Sequence, residues 1–132
     1  MKKDDFKYCS ESATYFSNTV FINPKNIELN ENVLIDDFVF FNGGKKSVIS
    51  NNVHIAAFTS IVGGGSLHLD SFSGISGGCR LITAVDDFMG EYLTNPTVPI
   101  PLGVTGGFGA GNISTYGIKV TLQFLRFIKY CL

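Results

Sequence analysis

The feature of this sequence that most limits its fold is a large aliphatic residue at every sixth position. In the segment SLHLDSFSGISGGCRLI, Leu69, Ile75 and Leu81 stand at this spacing. A helix repeats its buried face every 3.6 residues and a strand every 2, so neither element explains a recurrence of six. The hexad must therefore be part of a larger repeat.

That larger repeat consists of three hexads and two extra residues. The same triplet occurs twice upstream, as Leu29, Ile35 and Phe41 and as Ile49, Ile55 and Ile61. The extra residues fall in the glycine-containing stretches NGGKKSV and VGGGSLH. Glycine suits such corners because it tolerates positive φ. Three sides per coil describe a triangular prism with the large residues inside and successive coils about 4.8 Å apart. The pattern predicts an all-β fold, a parallel β-helix in a single domain.

The composition excludes several functional classes. A chain of 132 residues, 45% of them hydrophobic, can build one core but not two. A net charge of -1 gives no reason to expect a nucleic-acid partner. We also expect no membrane span and no signal peptide, because no long apolar run is present. Cys9, Cys79 and Cys131 are far apart and form no CxxC pair, which favours the cytoplasm over a disulfide framework.

Two segments carry a resemblance to a known family. VHIAAFTSIVGGGSLHLDSFSGISGGCRL and TAVDDFMGEYLTNPTVP resemble the hexapeptide-repeat acyltransferases, and most of all the galactoside- and O-antigen-type sugar O-acetyltransferases. The resemblance implies a left-handed β-helix, an exception to the right-handed crossover rule. It also implies a homotrimer that binds acetyl-CoA between adjacent prisms. A histidine would act there as general base on a hydroxyl or amine of a sugar-like acceptor, with backbone N–H groups stabilising the oxyanion.

Five residues are candidates for the site. His54 and His68 are the only histidines, and each stands between two inward positions, so both are predicted to point outward. They are the candidates for the catalytic base, and the alternative is two surface imidazoles on a subunit face. Because they fall on different sides of the prism, no metal site is predicted. Asp86, Asp87 and Asn95 are candidates for binding the acceptor, and the alternative for the two aspartates is a solvated turn.

The C-terminal part departs from the family pattern. We expect coils over about residues 20–85, an irregular loop at 86–117 and a divergent tail at 118–132. The resembled enzymes return to the prism with further hexads that carry the catalytic histidine, whereas no position after Glu91 here is His, Asp or Glu. A truncation or a frameshift is one interpretation of this difference.

The tail still has a pattern of its own. Ile118, Val120, Leu122 and Phe124 alternate with polar residues, which predicts a strand with one apolar face. Because the open end of a β-helix exposes unpaired backbone groups, we expect the tail to cap the prism or to join a subunit interface. An amphipathic contact with a membrane is the alternative.

Two functions follow from these observations. The first is acetyl transfer from acetyl-CoA to a hydroxyl or amine of a sugar-like acceptor by a homotrimer. The alternative is a truncated, catalytically inactive β-helix that serves as a binding or assembly module. The missing histidine-bearing coils favour the second function, and the family resemblance favours the first.

Overall fold

The computed structural model describes residues 1–84 and the strand at 118–120. The part of the chain so described contains short strands and two 3-10 turns, at Lys3–Asp5 and Pro24–Asn26. The strands are β1 (Tyr8–Cys9), β2 (Thr14–Tyr15), β3 (Val20–Ile22), β4 (Ile27–Leu29), β5 (Leu34–Ile35), β6 (Phe40–Asn42), β7 (Lys46–Ile49), β8 (His54–Ile55), β9 (Ser60–Val62), β10 (Ser66–Leu69), β11 (Gly74–Ile75), β12 (Arg80–Ile82) and β13 (Ile118–Val120). The predicted loop at 86–117 and the rest of the predicted tail lie outside the described residues.

The strands form three parallel sheets, which are the three sides of a prism. Sheet A has the order β1-β4-β7-β10-β13, sheet B the order β11-β8-β5-β2, and sheet C the order β12-β9-β6-β3. Along sheet B, Ile35 pairs with Ile55 and Ile55 with Ile75, so neighbouring coils are offset by one repeat of the sequence. The predicted fold is confirmed: the chain is a left-handed β-helix of about four coils.

The interior of the prism holds the predicted triplets. Eight of the nine side chains are buried, and Leu81 in the last of these coils is partly buried. A second inward series consists of smaller residues, namely Val33, Val53, Ser73, Val39, Thr59 and Cys79. Cys79 is buried as a small core residue, as its position in the repeat predicts. Stacked aliphatic side chains of similar size let each coil pack on the next without a gap.

The first coil begins at Tyr8, upstream of the residue at which the sequence pattern becomes recognisable. Its inward positions, in register with the later triplets, are Cys9, Tyr15 and Phe21. Only one of these is a large purely apolar residue, which hides the hexad in the sequence. The Tyr15 hydroxyl donates a hydrogen bond to the Met1 carbonyl at 3.2 Å, so a polar group is accommodated at this end of the prism.

Residues with left-handed backbone form the corners, and asparagine and glycine hold many of these positions beside three phenylalanines. Asn32 and Asn52 adopt left-handed backbone, with φ of 54° and 57°, and the Asn32 side-chain amide donates to the Asn52 side-chain oxygen at 3.2 Å. Gly63 has φ of 106°, which explains a glycine there. Gly65 packs directly against the Thr83 backbone. The glycines at 63–65 thus form a wide corner, as their place in the repeat predicts.

The close approach at this corner gives a prediction for Gly65→Ala. A Cβ at position 65 would lie 2.8 Å from the Thr83 carbonyl carbon and closer still to its oxygen, whereas a Cβ at Gly64 would meet no described atom within 4 Å. Because backbone atoms cannot move aside, we expect Gly65→Ala to lower the free energy of unfolding by about 1–3 kcal/mol. Gly64→Ala should change it by less than about 0.5 kcal/mol. Urea unfolding of both variants measures the difference, and equal losses would contradict the packing described for Gly65.

The strand β13 extends sheet A beyond the fourth coil. Ile118 pairs in parallel with Leu67, and Val120 with Leu69. The strand predicted from the alternating pattern is therefore confirmed for these three residues. Whether the tail as a whole caps the prism stays a prediction. No helix among the residues that the structure describes is long and apolar enough to span a membrane.

Candidate functional site

His54 is the strongest candidate for acid–base chemistry among the described residues. It lies on β8, on the outer face of sheet B, with Leu34 and Gly74 as its register neighbours. Its Nε2 is 3.0 Å from the Asp36 Oδ2, and half of its side chain is exposed. A carboxylate can only accept a hydrogen bond, so the neutral imidazole donates from Nε2 and keeps Nδ1 as the basic nitrogen. Asp36 thereby sets the tautomer and orientation of the ring.

An open groove lies beside this imidazole. It has a volume of about 340 Å³ and is lined by His54, Ala56, Gly74, Ile75, Ser76 and Gly77. The two glycines leave its floor without side chains, and a Cβ at Gly74 would meet only the His54 carbonyl oxygen among the described atoms, at 3.9 Å. A ligand can therefore approach the backbone of the fourth coil closely while remaining next to the ring.

His68 lies on a different side of the prism. It belongs to β10 in sheet A, and its Nε2 is 3.0 Å from the Asp70 Oδ1, with about half of its side chain exposed. The prediction that the two histidines point outward from different sides is confirmed. In residues 1–84 and 118–120, no group of three or more His, Cys, Asp or Glu side chains could hold a metal ion.

The remaining predicted site residues, Asp86, Asp87 and Asn95, lie outside the described residues. Sequence reasoning missed Asp36, although a signal was available. In the register of the repeat Leu34 is the counterpart of His54, so Asp36 stands two positions beyond that counterpart. Reading the polar residues at the corner one coil earlier would have identified the partner of the histidine.

The chain is similar to sugar acyltransferases over three quarters of its length. No protein-family model matches it. It is 31% identical over 100 residues to the dTDP-4-amino-4,6-dideoxy-D-glucose acyltransferase of Escherichia coli, a match that covers 75% of this chain and 52% of the relative. The chain thus spans about half the length of the curated relative it matches.

Solved structures of AntD, an N-acyltransferase from Bacillus cereus, are similar in fold and sequence. The complex of AntD with dTDP and 3-hydroxybutyryl-CoA has a TM-score of 0.66 and 32% identity, covering 76% of this chain and 53% of AntD. A variant in complex with dTDP-4-amino-4,6-dideoxyglucose and coenzyme A has a TM-score of 0.65 and 31% identity, covering 75% of this chain and 52% of AntD.

Proposed function

We propose that this chain, a homologue of the hexapeptide-repeat sugar acyltransferases, transfers an acyl group from acyl-CoA to an amine or hydroxyl of a sugar-like acceptor. The observation that carries the proposal is the His54–Asp36 pair at the edge of an open groove. The amino sugar of the Escherichia coli relative and of the AntD complex favours an amine as the acceptor, and specifically the amino group of a dTDP-linked amino sugar.

The chemistry assigned to His54 is general-base catalysis. Nδ1 takes a proton from the acceptor nitrogen or oxygen as that atom attacks the thioester carbonyl carbon. A C–N or C–O bond forms, the C–S bond breaks, and the coenzyme A thiol leaves with the proton that the imidazole returns. Asp36 stabilises the imidazolium that forms in between. Help of this kind is worth about 10²–10⁴-fold in rate.

The proposal also concerns which acyl group is transferred. The sequence resemblance implies acetyl, whereas one AntD complex contains 3-hydroxybutyryl-CoA. We therefore propose an acyl-CoA donor with acetyl as the first candidate. Asp86 and Asp87 come shortly after the fourth coil in sequence and Asn95 comes eight residues later, and we propose that all three hydrogen-bond the hydroxyls of the acceptor.

We also propose that the active form is a homotrimer. The outer face of sheet C exposes several apolar side chains in the single chain, with Val20 and Ile22 on β3, Phe40 on β6 and Ile82 on β12, beside the polar Asn42, Ser60 and Arg80. Exposed apolar patches of this kind are typical of protein interfaces. Burying this face against a second copy removes it from water and brings two prisms side by side.

The cytoplasm is the compartment that we propose for this chain. Cys9 and Cys79, the two cysteines in the described residues, are thiols that take part in no disulfide there, and Cys79 is buried in the core. Thiols of this kind persist in reducing compartments.

A direct assay tests the proposed activity. The purified chain is incubated with dTDP-4-amino-4,6-dideoxyglucose and either acetyl-CoA or 3-hydroxybutyryl-CoA, and the products are separated and weighed by mass spectrometry. This readout avoids thiol reagents, which would also label the three cysteines. We expect an acylated sugar and free coenzyme A in equal amounts, with none formed when the acceptor is omitted. A folded protein that forms no product from either donor would contradict the proposal and favour the binding or assembly module.

A further inference from the structure

Two phenylalanines form an exposed aromatic stack at the corner between sheets B and C, close to the His54 groove. Phe38 and Phe58 occupy the same position in successive coils, with ring centroids 5.3 Å apart and ring planes only 4° from parallel. Their exposed fractions are 55% and 70%, so most of this aromatic surface faces solvent. The centroid distance is close to the coil spacing of about 4.8 Å, so the two rings continue the repeat of the prism on its outside.

The aromatic stack has no third ring in the fourth coil. The residue at this position in the fourth coil is Gly78, and a Cβ built there would meet none of the described atoms within 4 Å. Because Phe58 is 70% exposed although one of its faces lies on Phe38, the face turned away from Phe38 is open to solvent among the described residues. A planar group of the size of an aromatic ring can lie parallel to Phe58 on this face.

The backbone at this corner favours glycine over phenylalanine. Phe38 and Phe58 have φ of 59° and 61°, in the left-handed region, where a side chain is strained. Gly78 has φ of 76° at the same corner and avoids that strain. Phe72 adopts the same conformation at another corner, so what singles out Phe58 is its parallel stack on Phe38 beside the glycine of the next coil.

We infer that the free face of Phe58, above Gly78, is a stacking site for the nucleobase of a nucleotide substrate. The inference rests on the proposed function, because that function supplies nucleotide ligands. Every base has an aromatic face, and stacking on a protein side chain is largely independent of base identity. The shared chemistry is a planar heteroaromatic ring, which is present both in a dTDP-linked acceptor and in the adenine of acyl-CoA.

The position of this site suits a nucleotide that reaches His54. Ala56 and Gly77, which line the His54 groove, lie next to the corner occupied by Phe58 and Gly78. Phe58 follows His54 by four positions, a span of at most about 13 Å in extended chain. A nucleotide whose base stacks on Phe58 would therefore run along the groove with its far end near the imidazole.

Tryptophan fluorescence provides a direct test. The chain contains no Trp, so Phe58→Trp introduces one reporter and keeps an aromatic face at the site. The matched control is Phe72→Trp, because Phe72 is also exposed, at 60%, and also left-handed, with φ of 63°, but lies at the corner between sheets A and B. We expect saturable quenching of the Trp at position 58 and none at position 72. Separate titrations with dTDP and with coenzyme A identify which nucleotide supplies the base.

Filling the empty position gives a second, independent variant. Gly78→Phe would place a third ring on the stack, in a backbone conformation that Phe38 and Phe58 already adopt, and would occupy the place of the base. In the Phe58→Trp background we expect it to weaken nucleotide binding by about tenfold or more. Circular dichroism checks that the variant keeps its β-structure.

The outcomes separate this inference from the proposed function. Quenching at both tryptophans, quenching at neither, or an affinity that Gly78→Phe leaves unchanged would overturn the stacking site. If acyl transfer persists in that case, the proposed function still stands. Saturable quenching at position 58 that Gly78→Phe abolishes supports the site, even if no acyl transfer is detected with any donor.

Discussion

His54→Ala is expected to lower kcat/KM for acyl transfer by about 10²–10⁴-fold, because it removes the proposed base for the proton of the attacking group. The fall should appear in kcat, since the imidazole acts on the reacting atom and contributes little to holding either substrate. Steady-state kinetics with the acceptor varied at saturating acyl-CoA measures both constants.

Two further variants show whether the loss of activity in His54→Ala comes from the loss of the base. Asp36→Asn keeps the size of the side chain but replaces the carboxylate 3.0 Å from the His54 Nε2 by an amide. We expect it to lower kcat while leaving KM within about twofold, because in the proposed mechanism Asp36 acts only by positioning the ring. His68→Ala is the matched substitution on sheet A. A larger loss in His68→Ala than in His54→Ala would assign the base to His68 and contradict the assignment made here.

Ile55→Ala is expected to lower the free energy of unfolding by about 2–5 kcal/mol. Ile55 is 0% exposed and lies in the middle of an inward column, paired in register with Ile35 below and Ile75 above. Removing its side chain leaves a cavity between two packed coils that the neighbouring strands cannot close. Urea unfolding followed by circular dichroism gives the change from the shift in midpoint.

The control for this substitution comes from the outer face of the same sheet. Leu34 pairs in register with His54 on the neighbouring strand, and it is 37% exposed. Leu34→Ala removes the same type of aliphatic side chain, but one that is only partly buried, so we expect a smaller loss, of about 1–2 kcal/mol. Equal losses in Ile55→Ala and Leu34→Ala would mean that the alternation of buried and exposed residues in sheet B is wrong.

The hexad pattern predicted the fold because the interior of a β-helix imposes the same demand at every coil. An inward position needs a large aliphatic residue to stack on its counterpart in the next coil. The spacing of Ile35, Ile55 and Ile75 in the sequence therefore equals the length of one coil. The pattern fails at the first coil, where Cys9 and Tyr15 take the inward positions. A period of six residues does not determine the handedness of the β-helix. The prediction of a left-handed helix came from the family resemblance alone.

Part of the candidate site could also be predicted from the sequence, and the rest is visible only in the tertiary structure. By itself, the sequence determined the shared register of three coils, their inward residues, and the outward direction of His54, because alternation along a strand is a local property of the backbone. Only the tertiary structure joined His54 to Asp36 and Phe38 to Phe58, since these contacts pass from one coil to the next. The same holds for the empty space above Gly78. Such a space is defined by the atoms around it, and those atoms come together only when the coils stack.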